Sequence, residues 1–235
     1  MSAKLTLPAL QAMKREGRKI VGVVAWDCPT AEILDRAGVD IVSVGDSVGV
    51  NVWGRETEAD VTLDELILVS AAVRRGVRRA LVSCDLPRAE AGVDAARRLV
   101  EEGGADIVKV EDAEAVPGFV EAGIPVFAQF SGDDGDPVAR AKQLEAAGAS
   151  LLDFRHSGPV AGPKVVDAVA IPVLGGLGGG PWLDGRIRMI HRAIGYSTSA
   201  LEEPPDAYAN VAQITHDAIA AYADDVRAGR QIRGG

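Results

Sequence analysis

The clearest pattern along the chain is a helix-like stretch that stops at a small residue and a glycine and gives way at once to a short apolar run. It occurs at Ala37-Gly38-Val39-Asp40 before IVSV, at Gly103-Gly104-Ala105-Asp106 before IVKV and at Ala147-Gly148-Ala149-Ser150 before LLDF. A shorter variant, Ala122-Gly123-Ile124-Pro125, precedes VFAQF. Glycine at such a stop suits the left-handed residue that ends a helix, and the recurrence predicts a repeating helix–strand unit. Three further apolar runs, Lys19–Asp27, Arg79–Asp85 and Ile171–Gly176, bring the candidate strands to seven. They are short and mostly rich in Val, Ile and Leu, as parallel strands covered on both faces are.

Between the runs lie helical patterns. Thr62-Leu63-Asp64-Glu65 is a capping box that opens the helix LDELILVSAAVRR, and Thr30 is placed to cap AEILDRA before Gly38 stops it. The first residues, MSAKLTLPALQAMKREGRKI, form an amphipathic start, and NVAQITHDAIAAYADDVRAG reads as a last amphipathic helix. An open doubly wound sheet would carry a G-x-G-x-x-G turn after its first strand, where this chain has WDCPT. The pattern therefore predicts an α/β chain folded as one (β/α)8 TIM barrel domain over residues 1–235, with an N-terminal and a C-terminal helix. The eighth strand is expected near Ile194–Ser199.

Composition narrows the setting. The 235 residues are 47% hydrophobic and 25% charged, an ordinary globular balance. No apolar run approaches the ~18 residues of a membrane span, so no membrane partner is expected. The N-terminus lacks the charged tip, apolar block and cleavage site of a secretory signal, which points to a cytoplasmic protein. A net charge of −9, from 25 basic and 34 acidic residues, repels polyanions and argues against nucleic acid as a partner. Cys28 and Cys84 are too few for a disulfide framework or a zinc spacing and are expected to be reduced thiols without a nucleophilic role.

In such a barrel chemistry belongs to the loops after the strands. Strand one ends at Asp27, strand two at Asp46 and Ser47, strand three at Asp85, strand four at Lys109 and Glu111, strand five at Gln129, and strand six at Asp153, Arg155 and His156. Carboxylates crowded into one mouth repel each other unless a cation neutralises them. An all-oxygen set favours a hard ion such as magnesium, held by Asp46 and Asp85 with Glu111 bound directly or through water. Lys109 is placed to hold an anionic group or stabilise developing enolate charge. Arg155 offers a fork for a carboxylate or phosphate of a second substrate, and His156 is the histidine nearest the mouth. His191 and His216 lie in helical patterns and receive no role. The run Gly175–Gly180 invites a phosphate-loop reading but lacks the following Lys-Ser/Thr, and a turn that lets backbone approach substrate is the competing reading. Trp53 and Trp182 are expected in packing or subunit contacts.

At these residues the sequence resembles the ketopantoate hydroxymethyltransferase family, of the phosphoenolpyruvate mutase/isocitrate lyase superfamily. The resemblance is carried by residues Trp26–Gly49, Val61–Pro87, Ala105–Asp112, Gly123–Phe127 and Ile171–Gly195. It implies a magnesium-dependent aldol-type transfer of a hydroxymethyl unit from methylenetetrahydrofolate to the small 2-oxo acid 3-methyl-2-oxobutanoate. It also implies that Asp46, Asp85 and Glu111 serve the metal, that Ser47 and Lys109 hold the keto acid, and that the protein is a homo-oligomer, commonly a decamer. The family has a histidine where this chain has Gln129 and a glutamate where it has Arg155; neither residue here can exchange a proton near neutral pH. The strand-five loop, Ser131–Pro137, is also shorter than the family's lid. Three readings follow: hydroxymethyl transfer, another superfamily reaction on a related 2-oxo acid (aldol cleavage, hydration or isomerisation), or a silent binding protein that retains the pocket.

Overall fold

A computed structural model describes residues 3–133 and 135–234, in two compact units, Met1–Ile187 and Arg188–Gly235. The strands are β1 (Ile20–Val24), β2 (Ile41–Val44), β3 (Leu81–Asp85), β4 (Ile107–Val110), β5 (Val126–Ser131), β6 (Leu151–Arg155), β7 (Val173–Gly175) and β8 (Gly185–Met189). They close in sequence order into a parallel barrel, as expected. Helix α1 (Leu7–Arg15) precedes it. The crossover helices that bear on the argument are α2 (Cys28–Ala37), the one-turn α3 (Val48–Asn51), α4 (Leu63–Gly76), α5 (Val93–Glu101), α6 (Val116–Glu121), α7 (Pro137–Ala146) and α8 (Gly158–Ala168). The second unit contains α9 (Ile190–Ile194), closed by Gly195 at φ 66°, and α10 (Val211–Arg227), whose Asn210 cap accepts from the Gln213 amide at 3.0 Å. No helix of the described residues is long and apolar enough to cross a membrane.

Local chemistry explains most boundaries. The repeated stops are left-handed glycines, with φ of 88° at Gly38, 69° at Gly104, 75° at Gly123 and 97° at Gly148. The Thr62–Glu65 capping box forms as predicted. Two expectations need correction. Helix α2 is capped by Asp27, not Thr30: the Asp27 carboxylate accepts from both the amide and the hydroxyl of Thr30 at 2.8 Å, so the helix begins three residues earlier. The eighth strand lies at Gly185–Met189 rather than near Ile194–Ser199. In GRIRM, Gly185 and Ile187 are buried while Arg186 and Arg188 are exposed, so the strand shows itself by alternation and not as an apolar run. The segment once expected to form it instead ends α9 and turns at Gly195.

The barrel interior is tiered. Its floor takes one residue from every strand (Ile20, Ile41, Leu81, Ile107, Phe127, Leu151, Leu174 and Ile187) and is plugged by Leu10 and Met13 of α1. Side chains two residues further along a strand share its face. The next tier therefore contains Ser43, Ser83, Lys109, Gln129 and Asp153, and the tier above it Gly45, Asp85, Glu111, Ser131 and Arg155. The Ser43 and Ser83 hydroxyls, 2.9 Å apart, meet across β2 and β3 on that inner face. A greasy floor thus fixes, by parity alone, a polar middle and a charged rim.

Closure of the ring depends on Gly185, where a Cβ would run into the carbonyl oxygen of Ile20. Gly185→Ala is expected to lower stability by about 1–3 kcal/mol, in the range of overpacked interiors. Gly118→Ala, whose new Cβ would lie 3.8 Å from a Val93 methyl in the middle of α6, should raise stability by about 0.5–1 kcal/mol. Urea midpoints of the two variants should move in opposite directions; movement in the same direction would contradict this account.

Candidate active site

The rim encloses a cavity of about 610 Å³ into which Asp46, Asp85, Lys109, Glu111 and Gln129 all face. Its centre is the buried ammonium of Lys109. Nζ stands 2.7 Å from Asp153 Oδ2 and 3.8 Å from Asp85 Oδ1, with the Phe127 ring centroid 5.7 Å away. Burial alone would lower the lysine pKa, but Asp153 and Asp85 outweigh it and hold it above its ordinary value. Asp153 is itself fixed from behind, its Oδ1 accepting from the Gly176 amide at 3.3 Å.

Asp85 is the least satisfied group. Its Oδ1 is buried without a hydrogen-bond partner, an arrangement that costs free energy unless a cation compensates. Burial, reinforced by Asp46 and Asp153 and opposed by Lys109, lifts its pKa to about 6. Asp46 is raised too, by burial first and then by Glu58. Beside them, a Cβ at Gly45 would fall 2.8 Å from Ser47 Oγ and 3.3 Å from Asp85 Oδ2. The hydroxyl and the carboxylate therefore close on a space that glycine leaves open.

Glu111 is placed differently. Arg88 donates to its Oε2 and the Gln129 amide to its Oε1, and Arg155 Nη1 lies 3.8 Å from Oε1. Accordingly, no group of three or more His, Cys, Asp and Glu side chains forms a metal cage among the described residues. A hard ion that keeps most of its waters needs only one or two direct carboxylates. The orphaned Asp85 oxygen and the crowded Asp46 fit that demand.

His156 does not line the cavity. Its Nδ1 is 2.9 Å from Asp133 and its amide donates to the Leu177 carbonyl at 2.8 Å, with the backbone in the left-handed region at φ 51°. The glycine run is packed rather than open. Arg186 donates to the Gly175 and Gly179 carbonyls, and Gly180 and Gly162 make room for the Trp182 ring, whose Nε1 reaches Ser157 at 2.9 Å. Trp53 is covered by Arg55. Cys84 is buried, which pushes its thiol well above its ordinary range. The loop Ser131–Pro137 includes Asp134, which lies outside the described residues. Sequence reasoning missed Arg88 and Glu58, which come from loops with no strand parity to betray them, and it missed Asp153 as the partner of Lys109. The register that sets Gln129 opposite Asp153 was the available signal.

The ketopantoate hydroxymethyltransferase family model matches residues 4–132 and 133–231. The 3-methyl-2-oxobutanoate hydroxymethyltransferase of Moorella thermoacetica (strain ATCC 39073 / JCM 9320) is 35% identical over 257 residues, covering 97% of this chain and 95% of that protein. The enzyme of the same name from Thermoanaerobacter sp. (strain X514) is 32% identical over 256 residues, 97% of this chain and 93% of that one. Among solved structures, 2,3-dimethylmalate lyase, a PEP mutase/isocitrate lyase superfamily member, aligns with a TM-score of 0.67 at 17% identity over 84% of this chain and 85% of that chain. A phosphonopyruvate hydrolase complex with oxalate and Mg2+ aligns with a TM-score of 0.59 at 15% identity over 95% and 88%. These two likenesses concern the fold.

The raised pKa of Asp85 makes a signed prediction. In the folded protein its proton is retained up to about pH 6, whereas the unfolded chain releases it near 3.8. This group's contribution to stability is therefore full below the unfolded value, falls as pH rises through that window, and is a constant penalty above it. With a chelator present, Asp85→Asn should be the more stable protein at pH 7.5, by on the order of 2 kcal/mol. The difference should vanish toward pH 4. Thermal midpoints across that range test it, and a variant equally destabilised at both ends would refute it.

Proposed function

The chain belongs to the ketopantoate hydroxymethyltransferase family, and on that premise we propose that its barrel mouth performs aldol-type carbon–carbon bond chemistry on a small 2-oxo acid, in the manner of hydroxymethyl transfer to 3-methyl-2-oxobutanoate. The observation that carries the site assignment is the buried Asp85 Oδ1, without a hydrogen-bond partner, on a cavity shared with Asp46 and Lys109.

Asp46 and Asp85 are the direct holders of a divalent ion, proposed as Mg2+, with Glu111 acting through water because its oxygens are bonded by Arg88 and Gln129. When bound, such an ion supplies charge neutralisation and polarisation of the carboxylate and keto oxygens of the acid. The remaining work falls to the chain. Ser47 donates to the acid's carboxylate beside Asp85. Lys109, kept protonated and aimed by Asp153, places positive charge beside the keto oxygen of the bound acid. The apolar wall formed by Val61, Leu86 and Pro87 takes the acid's alkyl group and excludes water from the carbanion. Gln129 orients Glu111 rather than moving a proton. Methylenetetrahydrofolate is the donor that family membership proposes, and a homo-oligomer, expected as a decamer, is the proposed working form, with residues 1–235 acting as one barrel domain.

A second reading, a different reaction on a related 2-oxo acid, is favoured by one observation: Gln129 and Arg155 surround Glu111 with groups that stay in one protonation state at neutral pH.

The test is exchange of the C3 proton of 3-methyl-2-oxobutanoate into deuterium oxide, followed by NMR with and without Mg2+. Exchange is expected with the ion and should fall by about tenfold or more in Asp46→Asn and Asp85→Asn, the scale of one lost charge contact. Calorimetry should show ion-dependent binding of the acid disappearing in the same variants. No exchange by the unaltered protein, or none of it lost in either variant, refutes the assignment.

A further inference from the structure

The two walls of the cavity differ in charge. On the β2–β3 side, two carboxylates wait for a cation. On the β4–β6 side, the single carboxylate of Glu111 has drawn two guanidiniums together, leaving one positive charge in surplus. Arg88 lines the cavity and is 83% exposed, and Arg155, 41% exposed, stands on the same rim tier as Glu111 and Asp85. Among the described residues the Arg155 guanidinium donates no hydrogen bond; its recorded ion pair, at 3.8 Å, is longer than one. A planar fork with open donors, half in solvent and 3.8 Å from the cavity-lining Glu111, matches a carboxylate better than an alkyl chain. It also stands near enough to Asp46 and Asp85 for its charge to reach both.

Resting on the proposed 2-oxo acid site, we propose that Arg88 and Arg155 form a subsite for a second anionic group. The acid preferred here is then a small 2-oxo dicarboxylic acid, its keto-acid end at Asp46, Asp85 and Ser47 and its distal carboxylate on the two guanidiniums. Glu111 holds the pair in place in the empty site and yields one fork when the ligand's carboxylate arrives.

Calorimetry on the full chain at saturating Mg2+ compares 3-methyl-2-oxobutanoate with 2-oxoglutarate, which share the keto-acid end and differ in the distal group. The dicarboxylate should bind about tenfold more tightly or better, the value of one charge-assisted bidentate contact. In Arg155→Gln the two acids should bind alike. In Arg88→Gln, a change at a largely exposed side chain that leaves the fold undisturbed, the preference should shrink. Equal affinities in the unaltered protein, or a preference that survives in Arg155→Gln, overturn the subsite while the one-carboxylate acid still binds. Binding of neither acid overturns the subsite and the 2-oxo acid reading together.

Discussion

The contact between Lys109 and Asp153 is the one on which the other charges of this barrel depend. An ammonium buried on the second tier is tolerable only against a carboxylate, and Asp153, 2.7 Å away and itself pinned by the Gly176 amide, supplies it. With that pair in place, Lys109 retains enough field to reach Asp85 at 3.8 Å without neutralising it. Three strands and the loop after β7 are thereby tied to one centre. Remove Asp153 and the lysine has no reason to stay away from Asp85, whose Oδ1 has no hydrogen-bond partner.

Stability and chemistry pull against each other here in a way that has a sign. Asp85 and Asp46 both hold protons more tightly than free carboxyls, because burial and neighbouring carboxylates disfavour their charged forms. A group shifted in that direction weakens the fold at neutral pH, so its presence cannot be a device for holding the barrel together. The floor does that work. One apolar side chain from each strand, sealed by Leu10 and Met13, is independent of pH and leaves the rim free to carry an uncompensated charge.

Much of this arrangement was legible in the sequence because it rests on short-range rules. Glycines at 38, 104, 123 and 148 announced the helix ends, and the ends of the strands put Asp85, Lys109, Glu111 and Gln129 at one rim once the barrel was assumed. What escaped was set by pairing between distant segments. The eighth strand hid because its arginines break the apolar run, and Arg88 was invisible as a partner of Glu111 because a loop carries it. Glu111 illustrates the limit: its residue type and its strand position were readable, but that its oxygens are already bonded by Arg88 and Gln129 is a fact about neighbours.

That fact redistributes the roles around the mouth. A carboxylate already satisfied by hydrogen bonds offers little to a cation, whereas Asp85 on β3, close to Ser47 and the open space at Gly45, has an oxygen without a hydrogen-bond partner. The β4–β6 wall then acquires the opposite polarity, since Glu111 gathers more positive charge than it cancels. A barrel mouth with carboxylates on one side and guanidiniums on the other presents opposite polarities across one cavity. Gln129 on β5 and Arg155 on β6 gather around Glu111 above the apolar floor that closes the barrel. A shared fold can in this way keep one half of its chemistry while the other half changes.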